Sequence, residues 1–248
     1  MSKPKILTID IETLPAVSFH WRMFDENISV DQLIEPSRIY SVGAKWLGQK
    51  KPIYLEAPQY ATENGMQGDP AERETMLLAT RDLILAADAI VTFNGDSFDL
   101  PRLNGEFAAF GIKPVPAPTS IDLIKTVRKF KLMSNKLAYV LQHFGLGAKV
   151  DTGGFKLWRE VYCGDKKARS LMRTYCIGDV IGEEDLYKFL KPYMRNHPYL
   201  GDKPSCCPNC GGENLQSRGS RRTRKFKVQR LQCQDCGAWS EGARESIK

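Results

Sequence analysis

The chain reads as an α/β layered domain followed by a small cysteine-rich module. Three strand-like runs open the sequence, and alternating helix-like and strand-like segments follow them. Five of the seven cysteines fall in the last 43 residues, four of them in paired Cys-x-x-Cys units. The basic excess sits in the same tail. From Lys203 onward there are 10 Lys/Arg against 4 Asp/Glu, a net of +6, whereas residues 1–202 hold 26 and 25, a net of +1.

Lys5–Ile11 is the first β-rich run; Arg38–Trp46 and Pro52–Leu55 are two more, joined at Gly48-Gln49-Lys50, so that the three form a meander. Residues 57–69, with Pro58, Asn64, Gly65 and Gly68, read as a loop. Asp69 is placed to cap the next helix, with Pro70 in its first turn. Apolar residues at helical spacing (Met76, Leu77, Leu83, Ile84, Ala87) then predict a helix from Glu72 to Ala87. Ala89–Phe93 is a short apolar strand ending at Asn94-Gly95. Asp99–Phe110 reads as a helix stopped by Gly111. After the Pro-rich stretch 114–118 come a strand at Ser120–Leu123 and a helix through Lys131. Further helices are expected near 136–144, 155–162 and 165–190, with a Gly-containing loop at 145–154. Pro198, Gly201 and Pro204 mark a linker, so the expected division is residues 1–198 and 199–248.

With 42% hydrophobic and 26% charged residues and a mean hydropathy of −0.37, the composition is that of a soluble globular chain. No apolar run approaches the roughly 18 residues of a membrane span. The N-terminus runs straight into a strand containing Asp10 and Glu12 rather than into a secretory signal, so a cytoplasmic setting is expected.

Acidic residues recur at three places. Asp10 and Glu12 lie two apart in a strand and so share a face. Two carboxylates at the end of an apolar run are costly unless cations neutralise them, although a solvated strand end is the plainer reading. In Asn94-Gly95-Asp96-Ser97-Phe98-Asp99 an apolar strand runs into a turn, and Asp99 stands where a helix begins, as an N-cap would. Asp96 is readable as a turn residue. Tyr175 and Asp179, four apart on a helix, share a face.

Taken in order, Asp-x-Glu in the first strand, Asn-Gly-x-x-Phe-Asp after a middle strand and Tyr-x-x-x-Asp on a late helix resemble the three motifs of the DEDD 3′–5′ exonuclease superfamily. The likeness is to its tyrosine branch, DEDDy, and within that to the proofreading domain of family B DNA polymerases and its stand-alone relatives. It covers about residues 5–190. It implies a ribonuclease H-like fold, with a mixed sheet flanked by helices. It also implies two Mg²⁺ or Mn²⁺ ions, whose hard character suits carboxylate oxygens, and a nucleic-acid substrate with a free 3′ end, single-stranded DNA being favoured. By the same resemblance Asp10, Glu12 and Asp179 hold the ion that activates water. Asp10 also reaches a second ion, which Asp99 supports. Tyr175 orients the water, since a phenol with an intrinsic pKa of about 10 is a poor base. Thr13, Leu14, Asn94 and Phe98 stand where the family contacts terminal nucleotides. Among rival acids, Asp122 reads as a helix cap or, less readily, as a residue supporting the acidic site, Asp185 turns away from Asp179, and Asp151 lies in a loop. His20, His143 and His197 read as surface or packing residues. An exoribonuclease and an inactive nucleic-acid-binding adaptor are the alternatives.

Cys207-Pro208-Asn209-Cys210-Gly211 and Cys233-Gln234-Asp235-Cys236-Gly237 are two matched knuckles separated by 22 residues. That spacing predicts a zinc ribbon, with one structural Zn²⁺ on Cys207, Cys210, Cys233 and Cys236. Cys206 reads as a non-ligand. So small a segment has little core of its own, and the metal would supply much of its stability. Between the knuckles lies the basic run Arg218–Arg230, which includes Arg221, Arg222, Arg224 and Lys225 with Phe226 among them, and Trp239 follows the second pair. Basic residues interleaved with aromatics suit nucleic acid; docking on a protein partner is the other reading of the same surface.

Overall fold

The computed structural model describes all residues except 1–3, 25–26, 59, 63–64, 148–149, 195–196, 201–204 and 248, with the backbone alone over 60–62 and 65–67. Of the turn residues expected above, Asn64, Gly201 and Pro204 lie outside the described residues.

The chain runs β1 (Ile6–Leu14), β2 (Val17–Ser18), β3 (Leu33–Glu35), β4 (Arg38–Trp46), β5 (Ile53–Glu56), β6 (Tyr60–Thr62), β7 (Gly65–Gln67), α1 (Pro70–Leu85), β8 (Ala89–Thr92), α2 (Asp99–Ala109), β9 (Ser120–Asp122), α3 (Ile124–Val127), α4 (Leu137–His143), α5 (Lys156–Tyr162), α6 (Lys166–Leu190), then β10 (Leu215–Arg222), β11 (Phe226–Cys233) and β12 (Trp239–Ser246). The main sheet has the order β5-β4-β1-β8-β9. β4 lies antiparallel to β1 and β5, whereas β1, β8 and β9 are parallel, so the sheet is mixed as expected. No described helix is long and apolar enough to cross a membrane.

Alternation along β1 sorts the sheet into an apolar and a polar face. Leu7, Ile9 and Ile11 pair across the strands with Trp46, Ala44 and Val42, and pack with Met76, Leu77 and Ile84 of α1 and Leu103 and Phe107 of α2. The other face carries Thr8, Asp10 and Glu12, opposite Lys45, Gly43 and Ser41. That face is covered by α6, whose Asp165 caps the helix on the Ala168 amide and whose Glu184 pairs with Lys45. Gly43 lets the helix come close. A Cβ there would lie 2.8 Å from both Cys176 Sγ and Val180 Cγ2 and 3.1 Å from the Cys176 carbonyl.

Two local expectations need correction, and one ribbon was not expected at all. Residues 57–69 are not all loop, because Tyr60–Thr62 pair with Gly65–Gln67 in a ribbon too short for alternation to reveal. The helix expected through Lys131 is a single α turn ending in a 3-10 turn, and it stops where Lys131 turns left-handed (φ 55°). Residues 17–18 and 33–35 form a two-stranded ribbon of their own. Asp69 caps α1 on the Ala71 amide, and Gly111 ends α2 with φ 65°, both as expected.

The C-terminal strands form a separate antiparallel sheet in the order β10-β11-β12. The module meets the end of α6 through Asn209, whose side chain donates to the Lys191 carbonyl at 2.9 Å, and meets the linker where the Leu200 amide donates to the Pro208 carbonyl at 3.0 Å.

Gly43→Ala is expected to lower the unfolding free energy by about 1–3 kcal/mol, because the added methyl must displace α6 or strain it. Denaturant titration reads this directly; a variant as stable as the parent would mean that α6 does not rest on Gly43.

Candidate active site

The close approach over Gly43 brings α6 onto β1 at the level of Asp10. One carboxylate oxygen each from Asp10, Glu12 and Asp179 lies within 4.8 Å of the others. Glu12 and Asp179 are buried and Asp10 is half-buried. Like charges at that separation repel by about 3.5 kcal/mol per pair at an effective dielectric near 20. A cluster of hard oxygen donors under such repulsion fits a divalent cation such as Mg²⁺ or Mn²⁺. Just past Glu12 the β1–β4 register slips, with Glu12 opposite Ser41 and Thr13 opposite Ile39, leaving Tyr40 as the extra residue. A bulge at this point re-aims the strand beside the cluster.

Asp99 is not a member of that group. Nor is it an N-cap, since Phe98 holds that position and Asp99 is the first residue of α2. Its carboxylate instead accepts the Ile11 backbone N–H at 3.0 Å, between the two β1 acids. Pairing of β1 with β8 ends at Thr8–Val91, so this amide lies beyond the parallel ladder. Asp99 is only 3% exposed. Burial raises its pKa to about 6; the Ile11 and Asp99 amides oppose the shift, and the charge of Asp122 adds to it.

The turn before α2 explains its own residue types. Asn94 is left-handed (φ 71°), a conformation that Asn tolerates, and a Cβ on Gly95 would collide with Thr92. Asp122 holds the turn, accepting the Asn94 N–H at 2.7 Å and the Ile124 N–H at 3.2 Å. It is not the helix cap expected of it, since Leu123 holds the N-cap position of α3; it anchors the turn instead. Asp96 is tied to Ser120 and Lys125.

Tyr175 lies one turn before Asp179 on α6, half-buried, its ring edge-on to Trp158 with centroids 5.8 Å apart. Asn94 and Thr13 are half-buried, and Phe98 is exposed beneath the Arg102 guanidinium. Leu14 is different. It is 2% exposed and packed with Tyr40, Leu157, Val161 and Met172, so its side chain is core rather than a surface for a nucleotide. Asp185 is half-exposed and pairs with Lys188. The histidines take structural places: His20 on the Arg22 carbonyl, His143 stacked on Tyr139, and His197 bonded to the Tyr187 hydroxyl. Sequence reasoning missed Gly43 and the Asp122 anchor. The signal for Gly43 was a glycine inside an apolar strand, which marks a close backbone approach.

In the C-terminal sheet the sulfurs of Cys207, Cys210, Cys233 and Cys236 also lie within 4.8 Å of one another. Cys207 and Cys236, and likewise Cys210 and Cys233, are 3.7 Å apart. Four thiolates at about 2.3 Å from one tetrahedral ion stand about 3.8 Å apart, so the donor set and its spacing fit zinc. Gly211 (φ 73°) and Gly237 (φ 75°) supply the left-handed turns that close the two knuckles. Cys206 stands outside the group. Of the cations at the β10–β11 turn, Arg222, Arg224 and Lys225 are exposed, whereas Arg221 is paired with Glu241.

The shift on Asp99 has a sign that can be tested. Its proton is held more tightly in the folded state (pKa about 6) than in the unfolded chain, where a carboxyl titrates near 3.9. Stability therefore rises as pH falls through that window, and the ionised group costs stability above it. Asparagine keeps the acceptor for Ile11 and removes the charge. With no divalent ion added, Asp99→Asn is expected to be more stable than the parent by about 1–3 kcal/mol at neutral pH. The gap should close as the pH approaches about 4. Equal stability at neutral pH would contradict the buried charge.

A family model for the RNase H superfamily matches residues 31–191. That stretch includes Asp99, Tyr175 and Asp179 and begins after β1. Among solved structures, the chain is similar to the family B DNA polymerase from the hyperthermophilic archaeon Pyrobaculum calidifontis, with a TM-score of 0.55 and 18% identity. The likeness covers 77% of this chain and 25% of that one, so the chain spans about a quarter of the polymerase's length and shares its fold over that part. None of the curated proteins gives a significant match. The family model covers well over half of the sequence, and the mixed sheet with α6 laid across its polar face agrees with it: the chain belongs to the RNase H superfamily.

Proposed function

We propose that the chain is a metal-dependent 3′–5′ exonuclease acting on DNA, with the chemistry in residues 1–198 and a zinc ribbon in residues 199–248 that helps hold the polymer. The observation that carries this reading is the gathering of Asp10, Glu12 and Asp179 within 4.8 Å. They come from the strand and helix that the DEDDy motif order requires, and Asp99 is joined to the same strand through the Ile11 amide. Membership in the RNase H superfamily supports nucleic acid as the substrate class. The solved neighbour is a DNA polymerase, which supports DNA as the polymer.

In this reading Asp10, Glu12 and Asp179 would hold one ion, and Asp10 and Asp99 would serve a second. When bound, Mg²⁺ or Mn²⁺ supplies an acidified water and stabilises charge on the leaving 3′ oxygen. Tyr175, braced by Trp158, orients the attacking water. Thr13, Asn94 and Phe98 contact the terminal nucleotides, while Leu14 packs behind them. Hydrolysis breaks the bond from phosphorus to the 3′ oxygen, places the water oxygen on phosphorus and leaves a new 3′ hydroxyl on the shortened strand. At the ribbon, Cys207, Cys210, Cys233 and Cys236 hold Zn²⁺, and Arg222, Arg224 and Lys225 meet phosphates.

Purified protein with Mn²⁺ and 3′-labelled single-stranded DNA tests the assignment. Asp10→Asn and Asp179→Asn are each expected to abolish nucleotide release while the protein stays folded. Tyr175→Phe is expected to be slower by about 10²-fold, up to a limit of about 10⁴-fold, because it loses a positioning hydrogen bond and not a metal ligand. Parental rates in either acid variant would overturn the assignment, and a parental rate in Tyr175→Phe would make that residue structural only.

A further inference from the structure

The C-terminal sheet does not stand clear of the rest of the molecule. An open groove of roughly 1430 Å³ runs between it and the end of α6. One wall presents Tyr193, seated edge-on against Phe130 (centroids 5.5 Å, planes at 90°) and beside Phe189 at 6.1 Å. These neighbours fix the ring, yet Tyr193 is 55% exposed. The facing wall presents Trp239, 48% exposed, with the Arg230 guanidinium 5.5 Å from its ring centre. The charged residues of the lining are Lys129, Arg221 and Arg230 against Glu241 alone, and Glu241 is already held by Arg221 and Arg244.

Exposed aromatic rings from both elements, with cations in the same lining, match the chemistry of an unpaired nucleic-acid strand. Each base has a π-face to stack, and each phosphate needs a cation. A duplex keeps its base faces stacked on one another and would leave the rings idle. The net charge of +6 from Lys203 onward favours the same polyanion. We propose that this groove binds the single-stranded segment on the 5′ side of the terminus held at the carboxylates. Trp239 and Tyr193 are its stacking platforms, and Arg230 and Lys129 neutralise its backbone. The direction of the strand, though not the binding itself, rests on the nuclease reading. Leu190, where α6 ends, lies eleven residues beyond Asp179, about 17 Å along the helix axis at about 1.5 Å per residue. A trinucleotide engaged at the carboxylates does not extend through the groove, whereas a longer strand does.

The test is the affinity of the full-length, zinc-loaded protein for labelled single strands, a trinucleotide against one of about 20 nucleotides. It is read by fluorescence anisotropy with no Mg²⁺ or Mn²⁺ added. The parent is expected to bind the long strand more tightly than the short one, and more tightly than a duplex of equal length. Trp239→Ala and Tyr193→Ala are each expected to weaken long-strand binding by about 5- to 100-fold and to shrink its advantage over the trinucleotide. Trp239→Phe, which keeps a ring in place, should recover most of the loss, and zinc content measured on each variant guards against a collapsed sheet. Equal long-strand affinity in the parent and the alanine variants, or equal affinity of the parent for duplex and single strand, would overturn the proposal. Binding is read without hydrolysis, which separates the two readings. A chain that bound long strands through Trp239 but released no nucleotides with Mn²⁺ would overturn the nuclease and leave the groove.

Discussion

The chemistry of this molecule depends on how closely α6 lies against the polar face of β1 and β4. Asp179 reaches Asp10 and Glu12 because Cys176 and Val180, its neighbours on the helix, occupy space that a side chain at position 43 would fill. The opposing face supplies the rigidity. Leu7, Ile9 and Ile11 are locked into the cluster with α1 and α2, so the strand bearing the acids cannot shift without disturbing that core. Mutual repulsion of the three carboxylates, about 3.5 kcal/mol per pair, is thus held against a packed sheet. A bound divalent cation would convert that repulsion into affinity. Asp99 follows the same logic: its buried carboxylate is held by the Ile11 amide, and burial raises its pKa where a cation is expected.

The two ends of the chain are joined through the same helix. Asn209, inside the first cysteine knuckle, takes the Lys191 carbonyl just past the end of α6, so the fold of the knuckle and the end of the helix support each other. A metal held by the four cysteines would therefore fix the C-terminal sheet in itself and also set its position beside Tyr193, across the groove from Trp239. That coupling gives the basic tail a defined orientation relative to the carboxylates.

What could be read from the residues were the features set by local spacing. The alternation Leu7-Thr8-Ile9-Asp10-Ile11-Glu12 placed both acids on one face of a strand, and Tyr175 and Asp179 fell on one face of a helix at i, i+4. Asn94-Gly95 marked a turn whose strain only those residue types relieve, and the two Cys-x-x-Cys-Gly units announced a four-sulfur cluster. Features that arise from pairings distant in sequence were not legible. The alternation of β1 suggested a wet face, whereas α6 covers it. The bulge at Tyr40, the bond from Ile11 to Asp99 and the burial of Leu14 all need the three-dimensional neighbours. The same holds for Arg221, one cation of a basic run by sequence, which the fold sets beside Glu241 and so removes from the free positive surface.

The central claim is that the convergence of β1 and α6 builds a divalent-cation site. The most direct measurement of it is Mn²⁺ binding to the zinc-loaded protein, followed by calorimetry and by the Mn²⁺ paramagnetic resonance signal, in the parent and in Asp179→Asn. The account predicts saturable binding in the parent, with loss of at least one ion in the variant and no change in its fold. A parent that binds no Mn²⁺ at millimolar concentration, or a variant that binds as many ions as tightly as the parent, would contradict it.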